Sequence, residues 1–264
     1  MRLSTFIFVL ALVTPLSALA QTPAPECPPA SPTDSGGMPT ASAAQTSAVS
    51  FGSLFTDLRR DLFHLPSTSN ALALAIGGGL ALAAHPGDHA FTAQVIGSER
   101  LDDVFEAGAA GGSGWMQIGG ALGTYVLGRS VGSAPVQSVG AALVRAQVLN
   151  TLMTQGIKVA VHRTRPDEGR FSFPSGHASG TFATASVLQR QFGWRVGLPA
   201  YGLAAYVAGS RVQEDRHYAS DVIFGAAVGI VAGRTVSIQR GGRRFEVTPA
   251  VIPGGAAIVF TRTG

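Results

Sequence analysis

Three short polar stretches interrupt a chain otherwise dominated by alanine, glycine and valine, and together their residue types could handle a phosphoryl group. The first is Lys158-Val-Ala-Val-His-Arg-Thr-Arg165-Pro166, the second Pro174-Ser175-Gly176-His177, and the third SRVQEDRHYASD at residues 210–221. Lys158, Arg165 and Arg211 supply three positive charges, and the planar donors of arginine suit phosphate oxygens. Ser175 and Gly176 stand at the expected start of a helix, where free backbone N–H groups and the dipole favour an anion. The glycine also lets the backbone approach a bound group closely. Two histidines remain, His177 and His217, and phosphoryl transfer through a covalent intermediate needs two such groups: a nucleophile and a proton donor. Asp221 lies one helical turn after His217. It can accept one ring N–H, fix the tautomer and leave the opposite nitrogen free to attack.

Taken singly, each stretch has a plain structural reading. Lys158 could snorkel from a helix end, Pro-Ser-Gly is an ordinary helix start, and a histidine one turn before an aspartate could be a surface pair. What joins them is position. Each falls at the end of an apolar helical segment, so a bundle can bring all three to one rim.

The elements that must do this can be read from periodicity. FGSLFTDLRRDLFHL, from Phe51, places Phe51, Leu54, Phe55, Leu58, Leu62 and Leu65 near helical spacing, with Asp57, Arg59, Arg60 and Asp61 elsewhere, which predicts an amphipathic helix closed by Pro66. Apolar helical segments follow at about 68–84, 115–131, 137–160, 176–191, 196–210 and 219–234, separated by Gly and Pro. Residues 87–112 read as a longer connection with a short helix around Leu101–Ala107. Beyond Arg234, TVSIQ, RFEVTPAVI and AAIVFTR alternate or run β-branched between Gly-Gly pairs, which predicts a small β-meander. The expected fold is all-α: a bundle of about six to seven helices over residues 51–234, with a short β tail over 235–264.

Composition narrows the function classes. Charged residues make up 13% of the 264, the formal charge is +4, and Lys158 is the only lysine. A nucleic-acid surface needs clustered basic residues. Only Arg240, Arg243 and Arg244 cluster, and they read as a solvated turn, so no nucleic-acid partner is expected. The single cysteine, Cys27, excludes an internal disulfide and a multi-cysteine metal site. Met1-Arg2, an apolar run through Leu16 and Ala18-Leu19-Ala20 have the form of a secretory signal peptide over residues 1–20. Residues 21–50, rich in Pro, Ser, Thr and Ala, read as a disordered tether. Most of the uncharged runs are shorter than the ~20 residues a membrane span requires. The 137–160 segment carries Arg145, Gln147, Asn150 and Lys158, which is costly in lipid. The 68–84 run could span. The expectation is an exported, periplasmic or envelope-associated domain rather than an integral one.

The three stretches fit KxxxxxxRP, PSGH and SRxxxxxHxxxD in that order, and so the chain resembles the type 2 phosphatidic acid phosphatase superfamily. That superfamily also includes bacterial class A acid phosphatases and vanadium haloperoxidases. The resemblance covers about residues 140–234. It implies that His217 is a nucleophile forming a phosphohistidine, oriented by Asp221. His177 would protonate the leaving alkoxide and then activate water, while Lys158, Arg165, Ser175, Gly176 and Arg211 would bind the phosphoryl oxygens. It implies no metal and no cofactor for a phosphatase, although in the haloperoxidases the same pocket holds vanadate. The expected substrate is a phosphate ester, with a lipid-linked or isoprenyl phosphate favoured by the apolar helices and a membrane surface as the expected partner. The alternatives are a soluble broad-specificity acid phosphatase, a vanadate-dependent haloperoxidase and a non-catalytic phospholipid-binding envelope protein.

The remaining polar residues carry less. His162 and Arg163 occupy free positions of the first motif, where they could line the rim. His64, His85 and His89 read as surface or loop residues, Asp167 and Glu168 as solvated loop acids, and Glu214, Asp215 and Arg216 as facing solvent. Gly77-Gly78-Gly79 lacks the strand and lysine of a phosphate-binding loop and reads as helix packing.

Overall fold

The structure is a computed structural model that describes residues 50–96, 105, 108–238, 244–252 and 255–263. The expected signal peptide and nearly all of the tether lie outside the described residues. Nine α-helices occur among the described residues: α1 (Phe51–His64), α2 (Thr68–Ala84), α3 (Asp88–Ile96), α4 (Gly108–Gly112), α5 (Gly114–Ser130), α6 (Ala134–Val161), α7 (Gly176–Phe192), α8 (Trp194–Gln213) and α9 (Ala219–Thr235). All seven long segments expected from periodicity are present. The connection expected over 87–112 also carries a helix at its start, because Asp88 opens α3 directly after the 3-10 turn His85–Gly87, while nearly all of the short helix expected around Leu101–Ala107 lies outside the described residues.

Local chemistry sets the ends of the helices that matter for the site. Ser175 caps α7, its Oγ accepting from Ala178 N at 3.4 Å, and Gly193 ends that helix with φ of 79°. Pro135 stands in the first turn of α6, where a missing N–H costs nothing. His162 closes α6 in the left-handed region, turning the chain into the loop that carries Arg163 and Arg165. Asp221 accepts from Tyr218 N at 2.9 Å, so it caps the first turn of its own helix, α9.

The centre of the bundle is the seam between α7 and α9, flanked by α6. Its core is made of small side chains: Ala142, Ala146, Leu149, Ala183, Val187, Ala232 and Val236 are all nearly or fully buried. Close packing is set by a glycine ridge on α9. A Cβ at Gly225, Gly229 or Gly233 would lie 2.7, 2.1 and 2.5 Å from the carbonyl oxygens of Ser175, Ser179 and Ala183, so the two backbones touch. A similar contact sets α2 against α9, where a Cβ at Gly77 would fall 2.2 Å from that of Ala227. The Gly77–Gly79 run therefore packs helices at its first position, as expected.

Two features depart from ordinary soluble patterning. The expected face of α1 is only partly kept: Leu54 is buried and Leu58 packs on the core, but Phe55 is 69% exposed and Phe51 61%, whereas Asp61 is fully buried. Arg145 explains this, since its Nη1 meets Asp61 Oδ2 at 2.5 Å and its Nη2 donates to Ser237 O at 2.7 Å. The outward sides of α2, α5 and α6 are likewise apolar, with Leu80, Leu82, Trp115, Leu122 and Leu152 all exposed. No single helix among the described residues is long and apolar enough to cross a membrane. The pair Phe51–His64 and Thr68–Ile96, bent by 69°, passes that test only together.

The small β-meander expected beyond Arg234 is not borne out. Its expected first strand is the end of α9 and the segment after it, where Val236 is drawn into the helical core and Ser237 N donates to Asp61 Oδ1 at 2.9 Å. Arg244–Ile252 and Gly255–Thr263 form one antiparallel pair, with Arg244 opposite Thr263 and Ile252 opposite Gly255.

Candidate active site

The ends of α6, α7 and α8–α9 do converge. A cavity of about 370 Å³ is lined by Lys158, Arg165, Gly176, His177 and His217, together with polar groups of α6 that include Asn150 and Thr154. The other predicted residues stand behind that wall. Ser175 is fully buried as the cap of α7, Arg211 is 5% exposed, and Asp221 is fully buried. The backbone joins two of the motifs, because Ser175 N donates to Asp221 O at 3.0 Å.

His217 Nδ1 lies 3.7 Å from Asp221 Oδ2, close enough for charge attraction but longer than a hydrogen bond. That nitrogen is buried without a hydrogen-bond partner. Burial pushes the His217 pKa down, against the pull of Asp221, so the ring stands neutral. A neutral imidazole with one nitrogen turned to a carboxylate is the form that can act as a nucleophile. Burial also acts on His177, and together with the charges of Arg211, Arg165 and Lys158 it pushes that ring down to about 4. Lys158 is 8% exposed and donates to Phe171 O at 2.5 Å. Burial, then the neighbouring Arg165, lowers it to about 8 despite Asp221. The Nε atoms of Arg165 and Arg211 are buried without a protein acceptor, which leaves donors for an anion in a strongly positive pocket.

Sequence reasoning missed the layer behind Asp221. Arg163, left as a rim residue, instead turns inward. Its Nη1 donates to Asp221 Oδ1 at 2.7 Å and to Ser220 Oγ at 2.6 Å, and its Nη2 donates to Asp88 Oδ2 at 2.7 Å. The guanidinium also sits 4.2 Å from the ring centre of Tyr218, a cation–π distance. Asp88 in turn accepts from Ser220 N at 3.0 Å, and His85 Nδ1 lies 3.2 Å from its Oδ2. Ser172 Oγ donates to Asp221 Oδ2. Burial alone would raise the carboxyl of Asp221. The His217 ring, Ser172, Tyr218 N–H and Arg163 outweigh it and hold the group below the usual carboxylate range. Asp88 is lowered in the same way, chiefly by Arg163 and Ser220 against its burial. The only sequence signal for this layer was a second arginine two positions before Arg165. No spacing rule ties either arginine to Asp88.

Three of the charges expected to face solvent have partners. Glu214 is half-buried and pairs with Arg211, and Arg216 donates to Asp167 at 2.6 Å. Asp167 is therefore a fixed loop acid, its carboxyl held below the usual range by Gly169 N–H and Arg216 against burial. His85 and His89 are exposed as expected, His85 on the Asp88 pair and His89 edge-on to Tyr218 at 5.0 Å. Among the described residues, no three His, Cys, Asp or Glu side chains are grouped so as to hold a metal ion.

Comparison with known proteins follows the same residues. The family described as the PAP2 superfamily matches residues 150–245. The chain is 39% identical over 85 residues to the lipid A 1-phosphatase of Porphyromonas gingivalis, covering 31% of this chain and 19% of that protein. It is 38% identical over 98 residues to the decaprenylphosphoryl-5-phosphoribose phosphatase of Mycobacterium tuberculosis, covering 33% of this chain and 54% of that protein. The chain thus spans about half the length of one curated relative and a fifth of the other. Among solved structures, Aquifex aeolicus LpxE aligns with a TM-score of 0.46 at 21% identity, over 56% of this chain and 92% of that one. The transmembrane PAP2-type phosphatidylglycerolphosphate phosphatase of Bacillus subtilis aligns with a TM-score of 0.41 at 20% identity, over 70% and 92%. The match to the PAP2 superfamily over residues 150–245 takes in all three motifs, from Lys158 to Asp221, and it is over this stretch that the chain is similar to that family.

Proposed function

We propose that the chain is a phosphatase that hydrolyses lipid-linked phosphate esters through a phosphohistidine on His217, without a metal. The observation that carries this reading is the placement of two histidines, Lys158 and Arg165 on one cavity, with Asp221 buried 3.7 Å behind one of the rings. The names of the two curated relatives, both phosphatases of lipid-borne phosphates, support the substrate class.

In this mechanism Lys158 and Arg165 receive the phosphoryl oxygens, with the N-terminal backbone of α7 at Ser175–Gly176 and the charge of Arg211 behind them. The Nε2 atom of His217 attacks phosphorus as the ester P–O bond breaks, and His177 gives its proton to the departing alkoxide. Neutral His177 then takes a proton from water, whose oxygen attacks phosphorus and releases His217. Asp221 stabilises the positive charge that the His217 ring carries in between. The low pKa of His177 fits this order of events. Burial is the larger cause of the shift and the surrounding cations the next; a bound phosphate dianion would offset the cations' share and raise the pKa of His177 as the leaving group comes to need its proton.

The apolar outer sides of α1, α2, α5 and α6 support a location at a membrane surface, and the signal-like residues 1–20 support export to the periplasm or envelope. The test is phosphate release from a panel of lipid and soluble phosphates in excess chelator, with His217→Ala alongside. Release by the parent chain and its loss in the variant are expected. Activity surviving His217→Ala would remove His217 as nucleophile, and activity lost in chelator would remove the metal-free mechanism.

A further inference from the structure

Arg211, one of the three cations of the site, is already engaged. Its Nη2 pairs with Oε2 of Glu214, three residues on, at the C-terminal end of α8. Only 6% of the Arg211 side chain is exposed, against 33% for Glu214, so the acid has a way out to water and the base has none. After burial, the charge of Arg211 is what most depresses the His177 ring, which sets the guanidinium on that ring's side of the pocket.

The carboxylate is poorly placed for a structural partner. Glu214 caps the C-terminus of α8, where the helix dipole opposes an acid. Its contact with Arg211 is half made. Glu214 Oε1 and Arg211 Nε are both buried without a hydrogen-bond partner, although a two-pronged pair would satisfy both. Asp221 shows the contrast: Arg163 donates to one of its oxygens, Ser172 and Tyr218 N to the other. One oxygen on one guanidinium nitrogen, with the neighbouring donor left open, is the contact a phosphoryl oxygen would make.

We infer that Glu214 sets the affinity of the site for phosphate: its carboxylate stands on Arg211 where a phosphoryl oxygen would, and swings out to water when one arrives. The inference rests on the phosphatase reading above and deepens it. Lys158, Arg165 and an unopposed Arg211 would hold inorganic phosphate as firmly as the phosphoryl group of an ester. Binding energy realised before and after the transition state as fully as in it does not raise kcat. A resident carboxylate lowers both affinities and eases the departure of product. A carboxylate that only aimed Arg211 at the substrate would act in the opposite sense, so the sign of the effect decides between the two roles.

The test is Glu214→Gln, which keeps the shape of the side chain and removes its charge. Binding of inorganic phosphate to the full chain is measured by calorimetry, and hydrolysis of a short alkyl phosphate is followed for KM, kcat and inhibition by phosphate. The variant should bind phosphate about three- to fivefold more tightly, the upper range for a partly exposed ion pair. KM and the inhibition constant should fall by the same factor, and kcat should not rise. In an Arg211→Gln background the same substitution should change phosphate affinity by less than about twofold, because the two residues act as a pair. Phosphate affinity unchanged, weakened or absent in Glu214→Gln overturns the inference. So does a gain of full size in the Arg211→Gln background, which would mean that the acid does not act through Arg211. Tighter phosphate binding by a chain that hydrolyses no ester would keep the role of Glu214 and reject the phosphatase reading. Hydrolysis that His217→Ala abolishes, with phosphate affinity indifferent to Glu214, would do the reverse.

Discussion

Arg163 Nη1 meets Asp221 Oδ1 at 2.7 Å, on the opposite carboxylate oxygen from the one that faces His217. The same guanidinium holds Asp88 through its other terminal nitrogen, so one partly buried cation serves two fully buried acids. Removing it would leave both acids without that counter-charge, and Asp221 held only through its other oxygen, by Ser172 and Tyr218 N, beside the ring it is proposed to orient.

Arg163→Ala should therefore act on turnover more than on binding. The loss of charge-assisted hydrogen bonds worth about 1.5–3 kcal/mol implies a fall in kcat of about tenfold to a hundredfold. KM should stay within about threefold, because Arg163 does not line the cavity. Arg163→Lys keeps the charge but loses the fork that reaches both acids, and should recover only part of the rate. Steady-state kinetics on the two variants checks this. A rise in KM at constant kcat would show that Arg163 binds substrate.

The alkaline limb of kcat/KM should report Lys158. Its ammonium, lowered to about 8 by burial and by Arg165, is charged below that pH and neutral above it. Affinity for the phosphoryl oxygens should fall as pH rises through about 8. Lys158→Arg should move that limb to higher pH, since arginine keeps its proton throughout. A limb left in place by the substitution would belong to another group.

Stability should fall on the acid side for a specific reason. Unfolded His177 takes a proton near pH 6.5, whereas the folded ring resists it to about 4. Between those values the unfolded chain binds more protons, so stability declines as pH drops from 6.5 to 4 and is unaffected by this group above 6.5. The loss is at most about 3 kcal/mol. His177→Asn should shrink the drop in Tm across that window. An unchanged profile would mean that His177 keeps its proton in the folded chain.

The pair Asp61–Arg145 predicts a variant that fails for reasons unrelated to catalysis. Asp61→Ala strands a buried guanidinium and removes the acceptor of Ser237 N, which should cost about 3–5 kcal/mol in denaturant unfolding. The double variant Asp61→Ala with Arg145→Met should recover much of this, because no lone charge then remains. A double variant as unstable as the single one would show that the hydrogen bonds at Ser237, not the unpaired charge, dominate.

The difference between what the sequence revealed and what it hid has a physical basis. His177, His217, Lys158, Arg165 and Gly176 were legible because they sit at short, fixed spacings near the ends of helices that converge on one cavity. The helices were legible because small apolar residues recur with a helical period. Arg163 and Asp88 were not, since their partnership joins residues 75 positions apart and depends on how α3 packs beside the start of α9. Asp61 was placed on the wrong side of α1 because periodicity assumes a polar exterior. Here the acid is satisfied inside by Arg145 while Phe51 and Phe55 point out. Glu214 was misjudged because a charge next to a motif can be a partner of that motif, as it is of Arg211.

The glycine ridge of α9 ties the proposed catalytic geometry to a region outside the cavity. His177 lies in the first turn of α7, and His217 immediately precedes α9. The gap between those helices is set by the missing side chains at Gly225, Gly229 and Gly233. None of the three lines the cavity. A single methyl at Gly229, nearly three turns into α9, would act like a shim under one jaw of a vice, changing the spacing of the two rings without altering any group proposed to do chemistry.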